Sequence, residues 1–118
     1  MRLNPRQPRS HLAYTRLAIA SFGAKQYAEG VRSASRALGD MPGHLAAHLH
    51  LTTCLVGAGE IDKAKAAFVT GQRLGPDYFR NRLEGTSVYA RPEDRTRSIT
   101  FLRIAAGLED PSAAESLR

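Results

Sequence analysis

Apolar residues recur at helical spacing through most of this chain, and glycine or proline interrupts them at regular intervals. Between Ser10 and Phe22 the apolar positions are Leu12, Leu17, Ala18, Ile19 and Phe22, and Gly23 closes the segment. Ser10 can cap this helix by accepting a backbone N–H. A second helix is predicted over about Lys25 to Leu38, separated from the next segment by Pro42-Gly43. Two more are predicted from about His44 to Val56 and from about Glu60 to Leu74, with Gly57 and Gly59 making the turn between them. "YFRNRLEG", residues 78–85, predicts a short helix that stops at Gly85, and "RPEDRTRSITFLRIAAGL", residues 91–108, predicts a longer one. Pro92 suits its first position, Glu93 and Asp94 its positive dipole end, and Gly107 its exit. Ile99, Leu102 and Ala106 form one apolar stripe on it and Phe101, Ala105 and Leu108 another, so it expects cover on two sides.

The first four helices are two copies of one unit. Sliding the chain by 34 residues lays Pro76 on Pro42, Gly71 on Ala37, Phe68 on Ala34 and Ala64 on Gly30. It also lays Ile61 on Tyr27, Leu51 on Leu17 and His48 on Tyr14. Small residues occupy Ala18 and Thr52 on the first helices and Gly30, Ala37, Ala64 and Gly71 on the second, where the helices of a unit must approach closely. A glycine inside a helix costs about 1 kcal/mol relative to alanine, so Gly30 and Gly71 need a packing reason. A 34-residue unit of this size pattern with a terminal proline resembles the tetratricopeptide repeat. The fold this implies is all-α, antiparallel helix-pair repeats in a right-handed superhelix with a C-terminal capping helix. The expected boundaries are a tail at 1–9, repeats at 10–43 and 44–77, a short degenerate helix and linker at 78–90, the cap at 91–108 and a tail at 109–118. Two repeats bury little by themselves, which is why a cap is expected.

The resemblance also implies a partner groove lined by the first helix of each unit. Its positions are Leu12, Thr15, Ile19 and Phe22 in the first repeat and Ala46, Leu49, Thr53 and Val56 in the second. Repeats that clamp a peptide's terminal carboxylate carry Lys and Asn there, and these do not. An apolar groove calls for an apolar guest, most simply an amphipathic helix. That guest is either the chain's own C-terminal helix or an upstream repeat, or else a protein or peptide helix from a partner or a second copy forming a homodimer.

Charge alters this picture little. The net charge is +6 and arginine dominates, with Lys25, Lys63 and Lys65 the three lysines. Arg80, Arg82, Arg91, Arg95 and Arg97 form a candidate anion-binding set for nucleic acid or an anionic surface. They mix with Glu84, Glu93 and Asp94, and no aromatic residues interleave at stacking spacing, which favours solvated surface charge. No run approaches the roughly 18 apolar residues of a membrane span, and the start "MRLNPRQPRS" has no signal-type apolar block, so a cytoplasmic location is expected. Cys54 stands alone in a helical pattern, where burial is expected.

"HLAAHLH", residues 44–50, sets His44 and His48 one turn apart, a metal-ligand spacing, but Leu45 stands where a zinc-protease glutamate would be needed. One packed histidine, His48, and two on the surface is the expected arrangement. "GAGE" lacks the strand and the Lys-Ser/Thr of a nucleotide loop, and no nucleophile motif or acid pair appears, so neither catalysis nor a cofactor is expected.

Two repeats, then "F-R-N-R-L", "R-P-E-D-R" and a last helix ending "A-G-L", look like the C-terminal tetratricopeptide region of bacterial class III adenylate/guanylate cyclases. Arg82, Leu83, Arg91, Pro92, Glu93, Asp94, Arg95, Gly107 and Leu108 carry the likeness. It implies a non-catalytic regulatory or assembly part of a bacterial signalling protein. "R-L-N-P" at 2–5 resembles "R-L-G-P" at 73–76, so residues 1–9 are expected to be the end of an upstream repeat.

Overall fold

The structure, a computed structural model, describes residues 10–118. The tail expected at 1–9, with its upstream-repeat remnant, lies outside the described residues. Those described form six α-helices and one 3₁₀ turn, with no strand: α1 Ser10–Gly23, α2 Tyr27–Asp40, α3 Leu45–Gly57, α4 Ile61–Leu74, α5 Pro76–Leu83, α6 Pro92–Ala105 and the turn Pro111–Ala114. Each of the first four packs on the next, and α1 and α3 also lie against each other. That is the helix-pair repeat fold the sequence predicts.

The period of 34 is visible in the backbone itself. In the first repeat Gln26 N–H bonds to Ser21 O at 2.8 Å, and 34 residues later Glu60 N–H bonds to Leu55 O at 2.9 Å. Lys25 N–H to Phe22 O and Gly59 N–H to Val56 O are likewise both 3.0 Å. These turns need one residue in the left-handed region. The second repeat supplies Gly59, at φ 82°, whereas the first supplies Lys25, at φ 60°. A side chain there costs about 1–2 kcal/mol, partly offset by glycine's greater chain entropy. Lys25→Gly is therefore expected to stabilise the protein by about 0.5–1 kcal/mol, checked by the urea midpoint at unchanged slope.

The small residues hold the helices together, though not quite where the repeat unit alone would suggest. Ala18, Ala37, Ala64 and Thr52 are fully buried. A Cβ on Gly30 would strike the Sγ of Cys54, in the next repeat, and one on Gly71 would strike the Phe79 ring of α5, with the His48 Cβ 3.1 Å away. The tightest contact of each glycine thus locks its helix to the unit after it, while Gly71 also lies close against α3 of its own unit. Cys54 fills the hollow that Gly30 leaves.

The ends differ from expectation in three places. The Ser10 hydroxyl donates to the Asp40 carboxylate at the far end of α2. α5 starts at Pro76, so the proline that ends the second repeat opens the following helix. Residues 109–118, expected as a tail, fold back: Ala114 is fully buried and Arg118 bonds to α3. The cap begins as its sequence implies, with Pro92 first, Glu93 and Asp94 in the first turn and Gly107 at φ 78° beyond the end. Its buried side comprises Phe101, Leu102, Ile104 and Ala105, while Leu108, expected in a stripe, is 56% exposed.

Candidate partner groove

α1 and α3 lie side by side, and their shared inner face carries the C-terminal segment. The Phe22 ring meets Tyr89 at 5.3 Å and Phe101 at 5.7 Å between centroids, with Tyr27 edge-on at 5.8 Å. Tyr89 reaches across to donate its hydroxyl to Ile19 O at 3.3 Å, and burial pushes its ionisation up. α6 packs chiefly on α3, with smaller contacts to α4 and α5. The groove positions therefore fall into two groups. Phe22, Leu49, Thr53 and Val56 are buried, as is Thr15, whose hydroxyl donates to His11 O. Leu12, Ile19 and Ala46 are half-buried, and Leu12 and Ala46 lie nearer the starts of their helices than the buried groove positions do.

Two arginines pin the C-terminal segment at equivalent points of the two repeats. The last carbonyls of a helix carry the negative end of its dipole, and beyond a turn bond each keeps a second lone pair for a further donor. Arg97 Nη1 donates to Phe22 O near the end of α1 at 2.7 Å. Arg118 Nη2 donates to Val56 O near the end of α3 at 3.0 Å, and its Nε to Gly57 O at 3.1 Å. Phe22 and Val56 are 34 residues apart, so one chemistry is used twice. Arg97 also donates to the Tyr27 hydroxyl at 2.8 Å and to Asp94 at 2.9 Å, and lies 4.3 Å from the Phe22 ring centroid.

That geometry corrects the anion-binding set. Arg97 is 3% exposed and its fork is filled, so it cannot meet a solvent-borne anion. The others each have a partner within the fold: Arg80 pairs with Asp77, Arg91 with Glu93, Arg82 lies over the Tyr78 ring at 4.6 Å, and Arg95 donates to Tyr89 O at 3.3 Å.

The histidines are also rearranged. His48 is packed as expected, its Nε2 2.7 Å from Pro42 O. His50, expected at the surface, is the more deeply buried, at 1% exposure. His44 is half-buried, with its pKa lowered by burial and then by His11 and His48. Among the described residues no group of three or more His, Cys, Asp or Glu could hold a metal. Burial, then Arg82 and His44, pulls the His50 pKa down to about 4. An unfolded histidine takes its proton near pH 6.5, so the unfolded chain binds the proton first as pH falls. Stability from this group is complete above pH 6.5 and is lost toward pH 4, by about 3 kcal/mol. Urea midpoints from pH 7.5 to 4.5 should fall steeply for the native chain and much less for His50→Leu.

Cys54 is fully buried, and burial pushes its thiol up to about 12, with Arg97 opposing. The native thiol should resist a disulfide reagent at pH 8 and react within seconds once urea unfolds the chain.

The model of the tetratricopeptide repeat family matches residues 21–81, just over half of the chain. This span runs from the end of α1 into α5 and takes in α2, α3 and α4 whole. The chain belongs to the tetratricopeptide repeat family, whose helix-pair arrays serve as protein-interaction modules. No curated protein and no solved structure matches it significantly. Among the described residues no helix is long and apolar enough to cross a membrane.

Proposed function

We propose that the chain is a non-catalytic protein-binding module, the regulatory or assembly part of a bacterial signalling protein whose C-terminal region resembles that of adenylate/guanylate cyclases. One observation carries the binding reading: α3, together with Phe22 at the end of α1, receives a helix, α6, through an apolar and aromatic stripe. A groove that holds a helix of its own chain has the chemistry to hold another. The part left for a partner helix is the half-buried end at Leu12, Ala46 and the rim of Ile19. Leu17 extends the same idea to the outer edge of the first repeat. It is 47% exposed, whereas its equivalent Leu51 packs against the core, so that edge suits a preceding helical unit.

Aspartate at Leu49 would test the fold and not the partner, because Leu49 is core. Leu12→Asp with Ala46→Asp is the proper test. Proteins retained by the native chain should be lost by this variant while its helicity and melting hold. Retention of the same proteins by the folded variant rejects the groove end as the binding surface. Light scattering on both chains separates a second copy from a different partner.

A further inference from the structure

We infer that the pocket formed by His50, Arg82, Ser87 and Ser98 is a carboxylate-binding site, taking one carboxylate oxygen inside and leaving the other to Arg82. The pocket lies between α3, α5, the loop at 86–89 and α6, and Leu49, Ile99 and Leu102 complete its wall. Its volume of about 10 Å³ admits one oxygen-sized atom. His50, the most deeply buried histidine, lines it edge-on to Tyr89 at 6.3 Å, and both ring nitrogens are buried without a hydrogen-bond partner among the described residues. Buried polar atoms are nearly always paired, so the ring nitrogen that carries the proton points to a guest that accepts from it.

The lining decides the kind of guest. Arg82 only donates, neutral imidazole offers one donor, and the serine hydroxyls can turn to donate. No Asp or Glu lines the pocket, so no charged acceptor of the chain competes there with one from outside. A metal cation would face Arg82 with one imidazole to hold it. An apolar group would leave the imidazole N–H unpaired. A flat carboxylate fits the guanidinium fork with one oxygen while the other enters the pocket, where the apolar wall strengthens each bond. Thr86 and Val88, at the mouth, are both exposed.

The carboxylate has two sources, a free small acid or an Asp or Glu side chain of a bound protein. The second source rests on the protein-binding reading, and the first does not. The test monitors the imidazole carbon-bound protons by NMR while sodium formate is added to the full chain at constant ionic strength. The His50 signal should shift saturably, and the His48 signal, whose Nε2 is engaged by Pro42 O, should not. Arg82→Gln should weaken formate binding about tenfold or more. If that variant does not fold, Ser87→Ala with Ser98→Ala takes its place. A capped Ala-Glu-Ala peptide and its Gln analogue form the second arm. Formate binding with or without Glu-peptide binding supports the site, and the peptide result tells which source it takes. A His50 signal that moves no more than His48 with either probe overturns it, as does unchanged formate saturation in the folded variant. Formate binding alongside failed partner capture leaves the site standing and rejects the protein-binding reading alone.

Discussion

Deleting residues 86–118 should leave a chain with much reduced helicity and no cooperative melt. The removed segment contributes Phe101, Leu102 and Ile104, each at most 1% exposed, together with Tyr89, Ala105 and Ala114. At about 1.5–3 kcal/mol for each of the three large side chains, their burial alone is worth on the order of 5–9 kcal/mol. The same cut uncovers Phe22 and Val56 and strips the arginine bonds from the ends of α1 and α3. A domain's whole stability is about 5–15 kcal/mol, and two helix-pair repeats cover only one another. The balance therefore falls against folding. Circular dichroism and a thermal scan of residues 1–85 decide it. A sigmoidal melt within a few degrees of the full chain would mean that α6 is a detachable guest and that the entire groove, Phe22 to Val56, can be offered to a partner.

Whether a feature is legible in the sequence depends on whether it is periodic or singular. Helix boundaries, the 34-residue register and the burial of Ala18, Ala37, Ala64 and Thr52 arise from spacing and size, which a sequence displays directly. The turn at Lys25 is hidden, because its left-handed backbone becomes evident only beside Gly59. The partners across the groove are not legible. Arg97 sits among other charged residues and reads as solvated, since nothing local records that Phe22 O lies 2.7 Å from its guanidinium, 75 positions earlier. His50 misleads in another way: as the last of three histidines in "HLAAHLH" it reads as a surface residue, yet Tyr89 and α6 close over it. Arg118, at the end of an apparent tail, shares that fate. In each case the missing information is which face the returning C-terminal segment covers.

Arg97→Met should destabilise the protein by about 3–5 kcal/mol, the largest loss expected from one substitution. Methionine nearly fills the volume and keeps contact with the Phe22 ring, so the loss isolates the charge and its bonds. Without the guanidinium, Asp94 keeps a largely buried carboxylate with its cation gone, and Phe22 O and the Tyr27 hydroxyl each lose a donor. Breaking one side of a buried pair typically costs this much because the remaining charge is uncompensated. Arg97→Lys should recover only part of it, since an ammonium cannot span three acceptors in the plane that a guanidinium fork does. Adding Asp94→Asn to Arg97→Met should return about 1–3 kcal/mol, whereas Asp94→Asn alone should destabilise; the urea midpoints of the four chains give that coupling directly. Equal losses for the single and double variants would mean that Asp94 is not the partner that matters. The weight would then fall on the bond to Phe22 O, the carbonyl whose counterpart at Val56 is held by Arg118, and Arg118→Met should in that case mirror the loss.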